Sequence, residues 1–333
     1  MSAEADQTSS VGEIVTRGSL TVDLSRDSGS DKHTFCIEAD EVQRLLSSSG
    51  QSEDELLCGL IQQASSLARP PISSFLVGAV ALGVSGRIFF GVNLEFARLP
   101  LYNSVHAEQF LVVNALHHGE RELRKLAVSE APCGHCRQFY SELSCADSIR
   151  ISFGKGQKLS SYTLAELLPQ RFGPGDLLDI SNTPLLLQPQ QNSLQLTEEA
   201  HDRVEARAGD ATFQEAFRQA AAQARASYAP YSQCPAGLAV ITAKQDVYAG
   251  PYIESAAFNP SLSPLQAAII VGVIDSMPCY THVNEVVLVE LEGGAVQHEL
   301  TARVVLAQIA PEATLTVLPA LSPKKKPPHH EMP

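Results

Sequence analysis

The stretches Val105-His-Ala-Glu-Gln109 and Ala131-Pro-Cys-Gly-His-Cys136 lie on either side of the apolar segment Leu126-Ala-Val-Ser129. The first stretch opens a predicted helix that Ser104 caps, and the second opens another helix. The apolar segment between them is typical of a buried strand. Helices that alternate with strands predict an α/β domain built in layers around a sheet.

The residues before these stretches continue the same alternation. Ser52 and Glu55 form a capping box at the start of a segment with apolar residues at helical spacing. The apolar runs 76–82 and 87–93, joined by Ser85-Gly86, predict a β-hairpin. The predicted order is therefore helix, hairpin, helix, strand and helix.

The second half of the chain repeats the order of the first. Ser74-Phe-Leu-Val-Gly78 overlays Gln233-Cys-Pro-Ala-Gly237, and Asn93-Leu-Glu95 overlays Tyr252-Ile-Glu254, both with an offset of 159 residues. A constant offset across a hairpin and the following loop indicates tandem duplication. We predict a flexible tail over residues 1–35, a first domain over 36–175, a linker over 176–210, a second domain over 211–320 and a flexible tail over 321–333.

Composition limits the partners and the compartment. The 333 residues include 24 Lys and Arg against 37 Asp and Glu, a formal net charge of −13. This balance favours a small-molecule partner over a nucleic acid, which proteins bind through clustered basic residues. Seven cysteines at this length do not suit a disulfide-stapled secreted domain, so we expect reduced thiols and a cytoplasmic location. No run of eighteen apolar residues occurs, so no membrane span is predicted.

His106, Cys133 and Cys136 are candidate ligands of a zinc ion. Two cysteines three residues apart at a helix start bring both sulfurs to one side, and three protein ligands leave one coordination position open for catalysis. Glu108 is placed to carry protons to and from a water that the zinc activates. A redox pair or two buried thiols are alternative interpretations of the C-x-x-C pair. His135, within that pair, is interpreted as a residue behind the ligands or a packing residue, and not as a ligand.

The chain resembles cytidine deaminase in its larger, duplicated form, from about residue 37 to about residue 318. The H-x-E and P-C-x-x-C pair is the signature of zinc nucleobase deaminases. Further matching segments are Ser74-Phe-Leu-Val-Gly-Ala79, Gly91-Val-Asn-Leu-Glu-Phe96 and Leu167-Leu-Pro-Gln-Arg-Phe-Gly-Pro174. The resemblance implies a three-layer α/β/α domain with a mixed sheet, present twice in tandem. It also implies one zinc ion per chain, in the N-terminal domain.

The resemblance implies a role for each site residue. Water activated by zinc would attack C4 of cytosine, while Glu108 moves protons to N3 and to the departing ammonia. Asn93 and Glu95 would bind the ribose hydroxyls, Phe75 would pack against the base, and the backbone at Ala107 would contact the base edge. On the residues alone, Asn93 also fits a turn, Glu95 an ordinary loop and Phe75 a core.

The first domain departs from the shorter relatives of this family at two linked positions. Those relatives typically have cysteine in place of His106 and arginine in place of Gln109. A third thiolate would leave the site one unit negative, which the arginine would offset. This sequence has neither residue, so the charges at the site remain balanced.

The second domain lacks the residues for this chemistry. The offset of 159 residues, applied to the four zinc-site positions, gives Leu265, Ala267, Glu292 and Ala295. We therefore expect no zinc and no catalysis in the second domain. The resemblance implies a homodimer in which each site is completed across an interface. The loop at residues 255–260 and Phe172 are candidates for closing the pocket.

These features together predict hydrolytic deamination of cytidine and 2′-deoxycytidine in pyrimidine salvage, by a homodimeric cytoplasmic enzyme. Two alternatives stay open. A polynucleotide cytosine deaminase is disfavoured by the acidic charge balance. A catalytically silent zinc-binding scaffold is disfavoured because Glu108 is intact.

Overall fold

A seven-stranded mixed sheet organises the first half of the chain. The computed structural model describes residues 13–15, 35–155 and 158–322. The strands are β1 (Glu13–Val15), β2 (Cys36–Ile37), β3 (Gly78–Gly83), β4 (Ile88–Val92), β5 (Leu123–Val128), β6 (Arg150–Lys155) and β7 (Lys158–Thr163). They lie in the order β1-β7-β6-β5-β3-β4-β2. Only the β5–β6 pair among these described strands is parallel, so the predicted mixed sheet is confirmed.

Helices cover both faces of this sheet. They are α1 (Ala39–Ser49), α2 (Glu53–Ser66), α3 (Ala107–His117), α4 (Gly134–Tyr140), α5 (Leu164–Leu167) and α6 (Pro174–Leu177). A Cβ added to Gly78 would lie 2.5 Å from the backbone nitrogen of Ser65 in α2. The next residue, Ala79, pairs with Gly91, where a Cβ would lie 2.7 Å from Leu111 in α3. Adjacent strand residues point to opposite faces, so α2 and α3 enclose the sheet as the outer layers of an α/β/α domain.

The second half repeats this arrangement with a five-stranded sheet. Its elements are β8 (Gln195–Leu196), α7 (Glu198–Glu205), α8 (Ala211–Ala226), β9 (Ala236–Thr242), β10 (Val247–Pro251), α9 (Pro264–Ile274), β11 (Val283–Leu291), α10 (Glu299–Ile309) and β12 (Thr314–Leu321). The strand order is β10-β9-β11-β12-β8, with β11 and β12 parallel. Gly237 and Gly250 stand where Gly78 and Gly91 stand in the first half, and a Cβ on either would clash with α8 or α9. The duplication predicted from the sequence is therefore present in the fold.

The two domains meet through α3 and α9. Both helices are buried along almost their whole length, and they share one hydrophobic core that extends across both domains. Two matched hydrogen bonds flank this contact. Gln109 Nε2 donates to the Pro260 carbonyl at 3.0 Å, and Gln266 Nε2 donates to the Asn103 carbonyl at 2.9 Å. The interface is therefore close to twofold symmetric, because each domain supplies the same kind of donor to the other.

Two predicted boundaries need correction. Residues 13–15, placed in the N-terminal tail, form β1 and pair with β7, because β7 would otherwise leave an unpaired edge. The other tail residues, 1–12, 16–34 and 323–333, lie outside the described residues. Residues 195–205, placed in the linker, form β8 and α7, which pack on β12 of the second domain. No helix in the described part of the chain combines the length and apolar character of a membrane span.

Candidate metal centre

Two helix starts present the candidate zinc ligands. His106 is the residue immediately before α3, and Cys133 is the residue immediately before α4. Cys136 lies in the first turn of α4, which directs its sulfur to the same side as Cys133. The predicted cap Ser104 is wrong by two residues: the Gln109 side chain accepts a hydrogen bond from the backbone nitrogen of His106, which fixes the helix start there.

The three ligand atoms are spaced as expected for a tetrahedral zinc site. Cys133 Sγ is 3.7 Å from Cys136 Sγ, and His106 Nδ1 is 3.5 Å and 3.2 Å from these sulfurs. At a tetrahedral angle, zinc bond lengths of about 2.3 Å to sulfur and about 2.0 Å to nitrogen give a sulfur–sulfur distance of roughly 3.8 Å and a sulfur–nitrogen distance of roughly 3.5 Å. Within residues 35–155 and 158–322 no fourth His, Cys, Asp or Glu joins this group. The donor set therefore fits zinc with one position open.

The two cysteine thiols differ in pKa before a metal binds. The hydrogen bond from Cys136, aided by His106, lowers the pKa of the Cys133 thiol to about 3. The same hydrogen bond and burial raise the pKa of the Cys136 thiol. A thiolate is the form of cysteine that ligates metals, so Cys133 is ready to bind and Cys136 must release its proton.

Glu108 lies at the base of the site, with only 5% of its surface exposed. Burial raises the pKa of its carboxyl group, and an upward shift is the direction that suits a group that both accepts and donates protons. Ala107, also buried, holds its carbonyl against Gly91 of β4. Because Gly91 has no Cβ, strand β4 packs closely against the first turn of α3, and this contact positions Glu108.

The loop residues predicted to bind substrate are tied to one another. Asn93 Oδ1 accepts from the backbone nitrogen of Val77 at 2.9 Å, and Asn93 Nδ2 donates to the Phe75 carbonyl at 2.9 Å. The Glu95 carboxylate accepts from Ser73 Oγ at 2.6 Å and from the backbone nitrogens of residues 72 and 73. Although burial raises the pKa of Glu95, these hydrogen bonds outweigh it and lower the pKa. Phe75 is 54% exposed and so is not a core residue.

Gln109 and His135 form a layer behind the ligands. The sequence predicted His135 as a residue behind the ligands or a packing residue, but it predicted no contact for Gln109. The His135 ring stacks on the His106 ring, with centroids 5.0 Å apart and planes 10° apart. Gln109 Nε2 lies 3.2 Å from His135 Nε2 and donates to Pro260 of the second domain. Pro260 closes the 255–260 loop, so this loop reaches the back of the metal centre. The sequence drew attention to position 109 because shorter relatives have arginine there. That comparison concerned the charge balance of the site and predicted no contact for Gln109.

Glu142 also contacts the second domain, and the sequence patterns did not predict this contact. It is fully buried, and its carboxylate accepts from Tyr228 OH at 3.0 Å, Tyr231 OH at 2.5 Å and the backbone nitrogen of Ala256 at 2.8 Å. All three donors belong to the second domain. Since Glu142 follows α4 by two residues, these hydrogen bonds hold the cysteine-bearing helix against the second domain.

The second domain has lost the metal ligands, but at positions other than those predicted. α9 begins after Ser263 as α3 begins after His106, and α10 begins after His298 as α4 begins after Cys133. His106, Glu108, Cys133 and Cys136 thus correspond to Ser263, Leu265, His298 and Thr301. The predicted equivalents Ala267, Glu292 and Ala295 are wrong, and Leu265 replaces Glu108 and not His106, because the loops before α9 and α10 differ in length. The four residues line a cavity of only about 10 Å³.

Comparison with known proteins agrees with this duplication. Residues 51–151 and residues 164–303 each match a family described as "Cytidine and deoxycytidylate deaminase zinc-binding region". The chain is 42% identical over 299 residues to cytidine deaminase 1 of Arabidopsis thaliana, covering 86% of this chain and 98% of that protein. It is 41% identical over 254 residues to cytidine deaminase of Yersinia pseudotuberculosis, covering 76% of this chain and 79% of that protein.

Solved structures give shorter matches. Cytidine deaminase from Mycobacterium tuberculosis is 30% identical, with a TM-score of 0.33, and covers 37% of this chain and 99% of that chain. Cytidine deaminase from Burkholderia pseudomallei is 29% identical, with a TM-score of 0.33, and covers 37% of this chain and 100% of that chain. With two tandem family matches and relatives above 40% identity along most of its length, the chain belongs to the cytidine and deoxycytidylate deaminase family.

Proposed function

We propose that the chain converts cytidine and 2′-deoxycytidine, with one water molecule, to uridine and 2′-deoxyuridine and ammonia. The observation that carries this proposal is the tetrahedral spacing of His106, Cys133 and Cys136 beside the buried Glu108 carboxyl. The family match and the relatives named cytidine deaminase support the same reaction.

Proton transfer is the task of Glu108. Zinc, when bound, supplies a Lewis acid that lowers the pKa of a coordinated water from about 15.7 to about 7. Glu108 takes a proton from the attacking water and delivers it to N3 of the ring, while the water oxygen bonds to C4. Glu108 then takes the second proton of that oxygen and delivers it to the amino group, the C4–N bond breaks to release ammonia, and the carboxyl ends the cycle as it began. The raised pKa of Glu108, which burial causes, suits both directions of transfer.

The loop residues hold the nucleoside. The hydrogen bonds to the Glu95 carboxylate lower its pKa and so favour the ionised form. The chain fills three of its roughly four acceptor positions, which leaves one for a ribose hydroxyl. Asn93 keeps one N–H for the sugar after its bond to the Phe75 carbonyl. The exposed Phe75 ring offers a flat surface for the base, and the Ala107 backbone borders the base edge.

The test measures zinc content and deamination in one preparation. Glu108→Gln should keep about one zinc per chain, because Glu108 is not a ligand, and should lower kcat by about 10²–10⁴-fold, the usual effect of losing a general acid and base. Glu290→Gln, which alters a buried carboxyl group in the second domain, is the matched control and should keep wild-type kcat. Full activity in Glu108→Gln would contradict the mechanism.

A polynucleotide cytosine deaminase is the alternative function. The net charge of −13 disfavours it, because a strand of nucleic acid is held mainly through basic residues. Cytidine and a cytosine-containing single-stranded oligonucleotide, supplied at equal cytosine concentration, separate the two. We expect ammonia release from the nucleoside alone.

We further propose a homodimer, a cytoplasmic location and a role in pyrimidine salvage. Large apolar side chains of the first domain stay exposed, among them Phe75, Leu101, Tyr102 and Phe172. A second copy of the chain would cover them, since exposed apolar surface marks interaction sites. Light scattering coupled to size-exclusion chromatography should give twice the chain mass. A monomeric mass in an active preparation would contradict the homodimer.

A further inference from the structure

A cavity of about 310 Å³ lies in the C-terminal domain, outside the metal centre. Its lining includes Tyr231, Ser232, Tyr252, Glu254, Phe258 and Ser261. This volume is at the lower end of the range of small-molecule sites, about 300–1,000 Å³. It is thus large enough for one small ligand.

The loops around this cavity repeat those that hold Glu95. The Glu254 carboxylate accepts from the backbone nitrogens of Tyr231 and Ser232, at 2.8 and 3.2 Å, and from the Ser232 hydroxyl. Glu95 accepts from the same three kinds of donor at residues 72 and 73. The backbone nitrogens of Glu254 and Glu95 donate to equivalent carbonyls, at residues 228 and 69. The C-terminal domain has therefore kept the geometry of one part of the site.

The other part of the site has closed. The positions equivalent to the zinc ligands and Glu108 surround only about 10 Å³, room for at most about one water molecule. His298, at the position of Cys133, is neutral because burial lowers its pKa to about 4, and it packs edge-on against Tyr252. The open cavity is consequently able to bind a ligand but holds no ligand set for a metal.

The lining defines the chemistry of that ligand. A carboxylate has about four acceptor positions. The chain fills three of those on Glu254, and the Tyr252 phenol donates to the same carboxyl group, so a ligand hydroxyl meets Glu254 together with Tyr252. The aromatic rings of Tyr231, Tyr252 and Phe258 offer apolar faces. No lysine or arginine is among the described residues that line the cavity, so a phosphate group would be buried there without a compensating cation, which is costly.

From these observations we infer that the cavity is a second, non-catalytic binding site for a neutral nucleoside, whose sugar hydroxyls meet Glu254 and whose base packs on the aromatic rings. The inference rests on the proposed function for its ligand class, because Glu254 repeats the arrangement assigned there to the sugar. Each chain then binds two nucleosides and deaminates one of them.

Equilibrium dialysis with radiolabelled uridine tests the inference on the intact zinc-loaded chain. Uridine is used because the enzyme does not consume it. The wild type should saturate at two uridines per chain. Glu254→Gln replaces an accepting carboxyl oxygen with an amide nitrogen, and Ser261→Phe fills the cavity with a ring. Each should weaken the second site by at least tenfold, through a lost hydrogen-bond acceptor in the first variant and lost space in the second. Glu95→Gln is the matched control and should lose the other site.

A fluorescence reporter places the binding event. The chain contains no tryptophan, and Phe258 is exposed at the rim of the cavity, so Phe258→Trp gives a signal from this loop alone. We expect uridine to change this signal in the Glu95→Gln background and not in the Glu254→Gln background. Uridine monophosphate should bind the cavity at least tenfold more weakly than uridine.

The outcomes separate this inference from the proposed function. Saturation at one uridine in an actively deaminating wild type overturns the inference alone. Binding of two uridines that persists in both Glu254→Gln and Ser261→Phe also overturns it, because the second ligand then lies elsewhere. Two bound uridines without any deamination of cytidine would overturn the proposed function and leave the cavity as a nucleoside site.

Discussion

Replacing Gln109 and Gln266 separately by alanine tests how the second domain supports the metal centre. The two glutamines occupy the same position, three residues after the residue that precedes their helix. Each accepts a hydrogen bond at its own helix start and donates one to the other domain. Gln109 alone also contacts His135, whose ring stacks on the ligand His106. The pair therefore differs at the metal centre, because only Gln109 contacts the residue that stacks on a ligand, whereas Gln266 Oε1 accepts an additional hydrogen bond from the Ser263 hydroxyl at 2.8 Å.

The expected magnitudes follow from these contacts. Each variant loses a helix-start bond and an interdomain bond, at about 1 kcal/mol apiece, and Gln266→Ala also loses the bond from the Ser263 hydroxyl, so both should lower the free energy of unfolding by about 2–3 kcal/mol. Gln109→Ala should in addition weaken zinc binding by about 10–100-fold, the usual effect of losing a residue that orients a metal ligand. Gln266→Ala should leave the zinc affinity unchanged.

Competition with a chromophoric chelator measures the zinc dissociation constant, and thermal unfolding followed by circular dichroism measures stability. Equal zinc affinities in Gln109→Ala, Gln266→Ala and the wild type would refute the role of Gln109 in orienting His106. Equal loss of zinc in both variants would show that the interface as a whole, and not the His135 contact, supports the site.

Three further predictions concern the domain interface and the sheet. Glu142→Ala leaves three donors of the second domain without their acceptor. We expect urea unfolding to show a free energy of unfolding lower by about 3–5 kcal/mol, against less than about 0.5 kcal/mol for Glu122→Ala at an exposed position. A loss under about 1 kcal/mol for Glu142→Ala would contradict the buried network. Burial raises the pKa of Glu142 against the opposing effect of its hydrogen bonds. The native state therefore binds this proton more tightly, and the contribution of Glu142 to stability is complete below the unfolded pKa of about 4.3 and is lost as pH rises through the native value. Unfolding of the wild type and Glu142→Gln across pH 4–8 should show the wild type losing stability relative to the variant, and parallel curves would refute the raised pKa. Gly91→Ala should destabilise the fold by about 1–3 kcal/mol or more, because its Cβ would meet the Ala107 carbonyl and Leu111, whereas Gly59→Ala in α2, with no atom within 4 Å, should stabilise it by about 0.5–1 kcal/mol; similar effects of the two would contradict the close packing of β4 on α3.

The sequence was sufficient for the parts of the fold that local patterns encode. The capping box at Ser52 and Glu55 starts α2 as predicted, and the hairpin around Gly86 forms β3 and β4. The constant offset of 159 residues holds through the hairpins, since hairpin geometry fixes the spacing of its own residues. It fails at α9 and α10, because loop length is not restrained by the sheet. Local periodicity also missed β8 and α7, whose partners lie more than a hundred residues away.

The candidate site was predictable where a residue acts through its own chemistry. His106, Cys133 and Cys136 come together because both helix starts point to one place, and thiolate and imidazole are recognisable ligands. Gln109 and Glu142 act through contacts with the second domain, at sequence separations of 151 and 86 residues or more. The residue type alone does not predict such a contact, since the same amide or carboxylate on a surface would bind water.

The mode of burial of α3 explains why a domain without the zinc ligands is retained. The described residues from Ala107 to Ala115 are all buried, with the sheet on one side and α9 on the other. An α-helix that packs against a sheet alone needs only one apolar stripe, so α3 without α9 would expose a second apolar face directly beside His106 and Glu108. The C-terminal domain removes that face from water and supplies Pro260 to Gln109. The fold of the C-terminal domain therefore contributes to the stability of the catalytic domain, and the loss of the C-terminal metal ligands leaves that contribution intact.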